Sequence, residues 1–242
     1  MTMHLISVIG NSPGVGKSTL CRAVADWLRS IGASVDHFEE SDILTRPSFR
    51  PVADEFAGGA SAVRPETLVA CTRAYVTESL GAGKDRLVTD ALLPFIPSLV
   101  AWGHDEATLV HVVDELTRAV KPAQVTVVYV HDDPDTALRR AVDREGAAWE
   151  DWYVARLAGS PGTRAVHDLT SAAAHLRSEA DLTRRLLART PWRLLTVDVG
   201  DLDAQEAFAH TRRHLAGFVH LQEQRSRTVP EAVRDQPARE CR

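Results

Sequence analysis

The chain breaks into short apolar runs separated by amphipathic stretches of helical spacing. Residues 4–9 form the first run, a strand ending at Gly10, and 17–30 follow as a helix that stops near Gly32. A second strand is expected over 34–39. Residues 42–62 carry Pro47, Pro51, Gly58 and Gly59 and are expected to be irregular, as an active-site or binding segment often is. Pro65 suits the first turn of a helix over 65–80, and Gly81 its end. A short strand over 86–89 stops at Asp90. Leu109, Val112, Val113, Leu116 and Val120 then share one helix face. The clearest buried strand is the β-branched run at 124–130. Asp133 and Pro134, as N-cap and first helical residue, open a helix that runs through Arg144. Helices over 149–157 and 166–189 are divided by Gly159-Ser160-Pro161-Gly162, and a strand at 192–197 and a helix at 204–221 complete the pattern.

Strand alternating with helix predicts the α/β class, a parallel sheet of about five strands with helices on both faces. Nothing reads as a linker, so 1–221 is expected to be one domain. Residues 222–242 are charged, contain Pro230 and Pro237 and lack periodicity, and read as a disordered tail.

Composition adjusts this picture in a few places. With 242 residues, 44% hydrophobic and 25% charged, the chain can bury a full α/β core. A net charge of −5 argues against nucleic acid as a partner. No run approaches the roughly 18 apolar residues of a membrane span, and the start lacks a secretory pattern. Cys21, Cys71 and Cys241 are too few and too scattered for a zinc site or a disulfide framework, so a cytoplasmic protein is expected. Arginine supplies 25 of the 28 basic residues, which makes any one arginine weak as a signal and Lys17 a strong one.

Lys17 lies in Gly10-Asn11-Ser12-Pro13-Gly14-Val15-Gly16-Lys17-Ser18-Thr19, a glycine-rich loop between a strand and a helix. This is the context of a phosphate-binding P-loop, or Walker A motif. Gly14 and Gly16 allow successive N–H groups to point at an anion, and the helix adds the positive end of its dipole. Lys17 is placed to follow the outer phosphates and Ser18 to put its hydroxyl on Mg²⁺. Residues Pro13, Gly14, Val15, Gly16, Lys17, Ser18 and Thr19 are therefore the expected triphosphate-binding set, with ATP and Mg²⁺ as cofactors. Asn11 stands where the motif's first glycine is usual; asparagine tolerates left-handed backbone better than most residues.

Other classes of P-loop protein lack their marks here. No Asn/Thr-Lys-x-Asp follows the Tyr129 strand, and there is no Leu-Ser-Gly-Gly-Gln and no apolar run ending in Asp-Glu. The order of the remaining segments resembles the thymidylate kinase and deoxynucleoside kinase group. Leu68-Val69-Ala70-Cys71-Thr72-Arg73-Ala74-Tyr75 is similar to that group's substrate helix, and Gly83 to Asp90 to its turn and strand ending in an acid. Residues 129–145 resemble the strand and lid entry, with Arg140 and Arg144 four apart on one helix face. The resemblance implies a P-loop NTPase fold with a helical lid, and donor-phosphate contacts from Arg140 and Arg144. It also implies acceptor contacts from Arg73 and a base at Glu39, with Glu40 next in rank. Two departures stand out. Ala91 occupies the place of the arginine beside Asp90, and Phe38-Glu39-Glu40-Ser41-Asp42 keeps the acid of the family's second-strand motif but not its proline. Both favour a neutral hydroxyl acceptor over a monophosphate.

The expected activity is therefore transfer of the γ-phosphoryl group of ATP to a hydroxyl of a small molecule such as a nucleoside, a nucleoside-like antibiotic or another hydroxylated metabolite. Lys17, Glu39, Asp90 and Arg144 form the catalytic set; Glu39, Glu40, Arg73 and Asp90 contact the acceptor; Ser18 and Asp90 hold the metal. Competing roles exist for several of these: a helix N-cap for Asp90, and surface ion pairs for the arginines. Trp149, Trp152 and Tyr153 read as packing, and His210 and His214 as a solvated face. The alternatives in function are a nucleotide-dependent regulator that switches partner binding, with 42–62 as its partner surface, and a nucleoside monophosphate kinase. Whether the chain forms a homodimer is open at this level.

Overall fold

The computed structural model describes residues 3–59 and 61–227. Five strands, β1 (Met3–Gly10), β2 (Val35–Phe38), β3 (Arg86–Thr89), β4 (Ala123–His131) and β5 (Arg193–Asp198), form one sheet in the order β2-β3-β1-β4-β5. Every pairing is parallel, with Ser7 opposite Thr89 and Val127, and Gly10 opposite Val130. Parallel strands cannot be joined by hairpins, so each connection is a crossover, and both sheet faces need cover.

That cover follows the period of two along the strands. Leu5 and Leu87 belong to one core with α3 (Pro65–Gly81) and α5 (Glu106–Ala119), whereas Ile6, Val8, Val88 and Val128 belong to a second. The second is closed by α1 (Lys17–Ser30) through Leu20, Val24 and Leu28, and by α9 (Ala204–Arg227) through Ala207 and Leu215. A third, smaller cluster joins α6 (Pro134–Glu145), α7 (Ala147–Ala158) and α8 (Leu169–Leu187). Helix α6 starts as its sequence predicts: the Asp133 carboxylate accepts from the Thr136 amide at 3.1 Å, and Pro134 occupies the first turn.

Three regions differ from the pattern-based expectation. The stretch expected to be irregular contains 3₁₀ turns at Glu40–Leu44 and Pro47–Phe49 and the helix α2 (Arg50–Ala57). Its order comes from tertiary contacts. Phe49 and Val52 are buried, with the Phe49 ring 5.0 Å from Phe38. The Arg46 guanidinium binds Asp36 at 2.8 Å and the His37 carbonyl at 2.9 Å while lying over the Phe38 ring. The short α4 (Ile96–Ala101) was also without a helical signal. At the other end, α9 continues to Arg227, beyond the expected end at residue 221; the rest of the expected tail, 228–242, lies outside the described residues, as does Cys241. Among the described residues no helix is long and apolar enough to cross a membrane.

At the edge opposite the glycine-rich loop, buried His4 bonds through Nε2 to the Thr126 hydroxyl at 2.9 Å. Burial, aided by Arg86 and Arg193, lowers its pKa to about 4. The unfolded chain takes up this proton near pH 6.5, whereas the folded one stays neutral until about pH 4. Stability should therefore fall as pH drops through that window, by about 3 kcal/mol from this one group. Urea melts of wild type and His4→Gln between pH 7 and pH 4 measure it; equal pH dependence in both would overturn the assignment.

Candidate functional site

β1 lies between β3 and β4, where the strand order reverses, and the carboxyl ends of all three strands meet at one edge. Open parallel sheets hold ligands at such a point. Three segments leave the sheet here: the glycine-rich loop after Gly10, Asp90 after β3, and Asp132 after β4.

The loop's shape depends on two glycines with positive φ. Gly16, at φ 84°, precedes α1 without any side-chain cap, so the first-turn amides of α1 receive no side-chain partner. Gly14, also at φ 84°, lies against α6 so closely that a Cβ there would stand 2.2 Å from the Ala137 carbonyl oxygen. Asn11 is buried, and its amide bonds Asp132 twice: Nδ2 donates to the Asp132 carbonyl at 2.7 Å, and Oδ1 accepts from its amide at 3.3 Å. The residue that departs from the motif thus ties the loop to the end of β4.

Lys17 crosses to β3. Its Nζ donates to the Asp90 carbonyl at 3.1 Å and to Oδ2 at 3.3 Å, and stands 4.0 Å from Glu40 Oε2. The Asp90 side chain is only 3% exposed, and its Oδ1 has no hydrogen-bond partner among the described residues. The next helix begins at Ile96, so Asp90 caps nothing. Glu40 is exposed. Glu39, expected ahead of it from the sequence, instead accepts from Arg22 Nη2 at 2.9 Å and makes no ion pair with Lys17. Nearby Cys21 is buried against His37, at 3.5 Å; burial and the charge of Asp90 push its thiol well above the usual range, which makes it inert as a nucleophile.

Arg140 and Arg144 separate. The Arg140 guanidinium pairs with the buried Asp132 carboxylate through Nη2, while its Nε has no partner. Arg144 is exposed and pairs with its neighbour Glu145 at 2.8 Å. Arg73 is exposed on α3 and enters no ion pair among the described residues. Of the two glycine-bearing turns that flank α7, the one at Gly146 is open, with φ 91° and no neighbour for a Cβ. The other is anchored: the Gly162 amide bonds the Ala101 carbonyl at 2.9 Å, against α4.

A cavity of about 150 Å³ opens beside the loop. Gly14, Gly16 and Thr19 form one wall and Arg140 another, and Val199, Leu202, Ala204 and Ala207, with Asp203 among them, give it a largely apolar end. These last residues, like Asp132, carried no motif; Asp132 had only the signal that marked Asp90, an acid at the end of a central strand. Glu39, Arg73 and Asp90 do not line this cavity. Among the described residues no three His, Cys, Asp or Glu side chains converge for a metal. No family model and no curated protein matches the sequence.

The contact at Gly14 gives the first test of this geometry. Gly14→Ala strains a left-handed residue, as Gly16→Ala does, and must also move the loop off α6, each at a cost on the order of 1–3 kcal/mol. Thermal unfolding should show the loss, and the same change at Gly16, where a Cβ meets nothing within 4 Å, should cost less. Equal losses at the two positions would mean that α6 does not constrain the loop.

Proposed function

We propose that this chain binds a magnesium nucleoside triphosphate at the Gly14–Thr19 loop and transfers its γ-phosphoryl group to a hydroxyl of a small molecule. The observation that carries the reading is the placement of Lys17. Its ammonium meets the carboxylates of Asp90 and Glu40, while Gly16 and Thr19, on either side of the Lys17-Ser18 pair, wall the cavity together with Arg140; Lys17 and Ser18 themselves do not line it.

On the donor side, the uncapped amides of α1 and the arginine supply fixed positive potential for phosphates. The largely apolar end of the cavity suits the flat ring of a base. On the acceptor side, a hydroxyl becomes nucleophilic when a carboxylate takes its proton, and Asp90 and Glu40 are the carboxylates nearest the lysine. Phosphoryl transfer asks chiefly for positioning and charge neutralisation, which this arrangement offers.

The residues also fit magnesium. Ser18 is exposed on the first turn of α1, and Asp90 Oδ1 lacks a hydrogen-bond partner among the described residues. A nucleotide-borne Mg²⁺ needs few protein ligands, since phosphate oxygens and waters complete its octahedron. Bound there, it would neutralise charge on the transferring group. Ala91 stands beside Asp90 and Arg73 is exposed, so neither position supplies a fixed cation beside Asp90 for a monophosphate, which favours the neutral hydroxyl. One observation favours a second reading, a nucleotide-dependent regulator: the cavity stops short of Glu39, Arg73 and Asp90.

Phosphorus NMR of ATP incubated with nucleosides, other alcohols and nucleoside monophosphates separates these readings. A phosphoester on an alcohol is expected; a new diphosphate from a monophosphate, or tight nucleotide binding with no transfer, would overturn the hydroxyl kinase. Lys17→Ala should lose about tenfold to a thousandfold in turnover, roughly 1.4–4 kcal/mol of transition-state stabilisation. Asp90→Asn should lose about a hundredfold or more while nucleotide affinity changes little. Wild-type turnover in a folded Lys17→Ala protein would remove the phosphate-loop assignment.

A further inference from the structure

We infer that Asp132 is a positioning residue: it aims Arg140 at the donor cavity and locks the helix that carries it to the glycine-rich loop. The inference rests on the triphosphate reading above and adds a device that the loop motif does not contain.

Three contacts converge on this one residue. Its carboxylate, buried with the residue only 4% exposed, pairs with Arg140 Nη2 through Oδ2 and accepts from the Asp133 amide through Oδ1 at 2.7 Å. Its peptide groups are held by both ends of the Asn11 amide. Helix α6, which starts two residues later, presses Ala137 against Gly14. Loop and arginine are thus fixed to the same point of the sheet. Arg140 spends one nitrogen on Asp132 and has an unpartnered Nε, so its fork is oriented without being saturated. A guanidinium on a flexible stem gains most from such support, because the rotamer entropy is lost before the ligand arrives.

The sign of the effect separates positioning from simple charge. Asp132 is negative, so if charge alone mattered, Asp132→Asn would bring a triphosphate closer to an uncompensated cation and bind it more tightly. Positioning makes the opposite demand. Dissociation constants for ATP·Mg²⁺ are measured by calorimetry on the full chain for wild type, Asp132→Asn, Arg140→Ala and the double variant. Asp132→Asn should weaken binding by about tenfold or more, and the double variant should bind no more weakly than Arg140→Ala. Free guanidinium, well below denaturing concentrations, should restore affinity to Arg140→Ala but not to the double variant, because only the carboxylate holds it in place. Additive losses, tighter binding by Asp132→Asn, or equal rescue of both proteins would overturn the inference and leave the triphosphate reading standing. If Asp132→Asn does not fold, Arg140→Lys replaces it: the charge stays, the fork is lost, and affinity should fall by a similar factor. A wild-type chain that binds no triphosphate would remove both.

Discussion

Parallel pairing is the constraint on which the rest of this structure depends. Because every strand runs the same way, every strand ends at the same edge, and the loops that follow β1, β3 and β4 must meet there. The register makes this close: Ser7 is level with Thr89, one residue before Asp90, and Gly10 is level with Val130, two before Asp132. Residues far apart in sequence become neighbours because the strand pairing itself brings their segments to one edge. The sheet's two buried faces supply the rigidity, since the same strands anchor one apolar core on each side.

Upon that frame, charge is arranged in pairs that share a cation across segments. Lys17 of α1 neutralises the acid after β3, Arg140 of α6 the acid after β4, and Arg46 the acid on β2. Each acid is well shielded from solvent and each cation reaches it from another element. Removing one partner would strand a buried carboxylate, which costs more than the pair contributes. The arginine-rich composition acquires a physical use here, because a planar fork can grip a carboxylate and still present donors elsewhere.

Local signals made much of the framework legible. The β-branched run gave β4, the Asp133-Pro134 step gave the start of α6, and the Leu109–Leu116 stripe gave α5. The glycine-rich loop could be placed between its strand and helix from sequence alone. What stayed hidden was whatever depended on partners distant in the chain. In the 42–62 stretch Pro47, Pro51, Gly58 and Gly59 interrupt the short helical spacing of Phe49, Val52 and Phe56, and its order comes from Phe49 meeting Phe38 and from Arg46 meeting Asp36. Spacing put Arg140 and Arg144 on one helix face, yet only Arg140 has a buried acid within reach, and that acid lies outside the helix. Likewise Glu39 and Glu40 are adjacent, and it took Arg22 on α1 to engage one and leave the other near Lys17.

The close approach of Gly14 to Ala137 has a consequence for how the protein comes into being. During synthesis the glycine-rich segment leaves the ribosome early, but the surface against which it is shaped belongs to a helix made much later. Until α6 docks, Gly14 is an unrestrained glycine with the widest conformational range of any residue. A nascent or truncated chain lacking that helix would carry every letter of the motif and none of its fixed form. The loop's fixed form is thus gained late, when the second half of the sheet closes on the first.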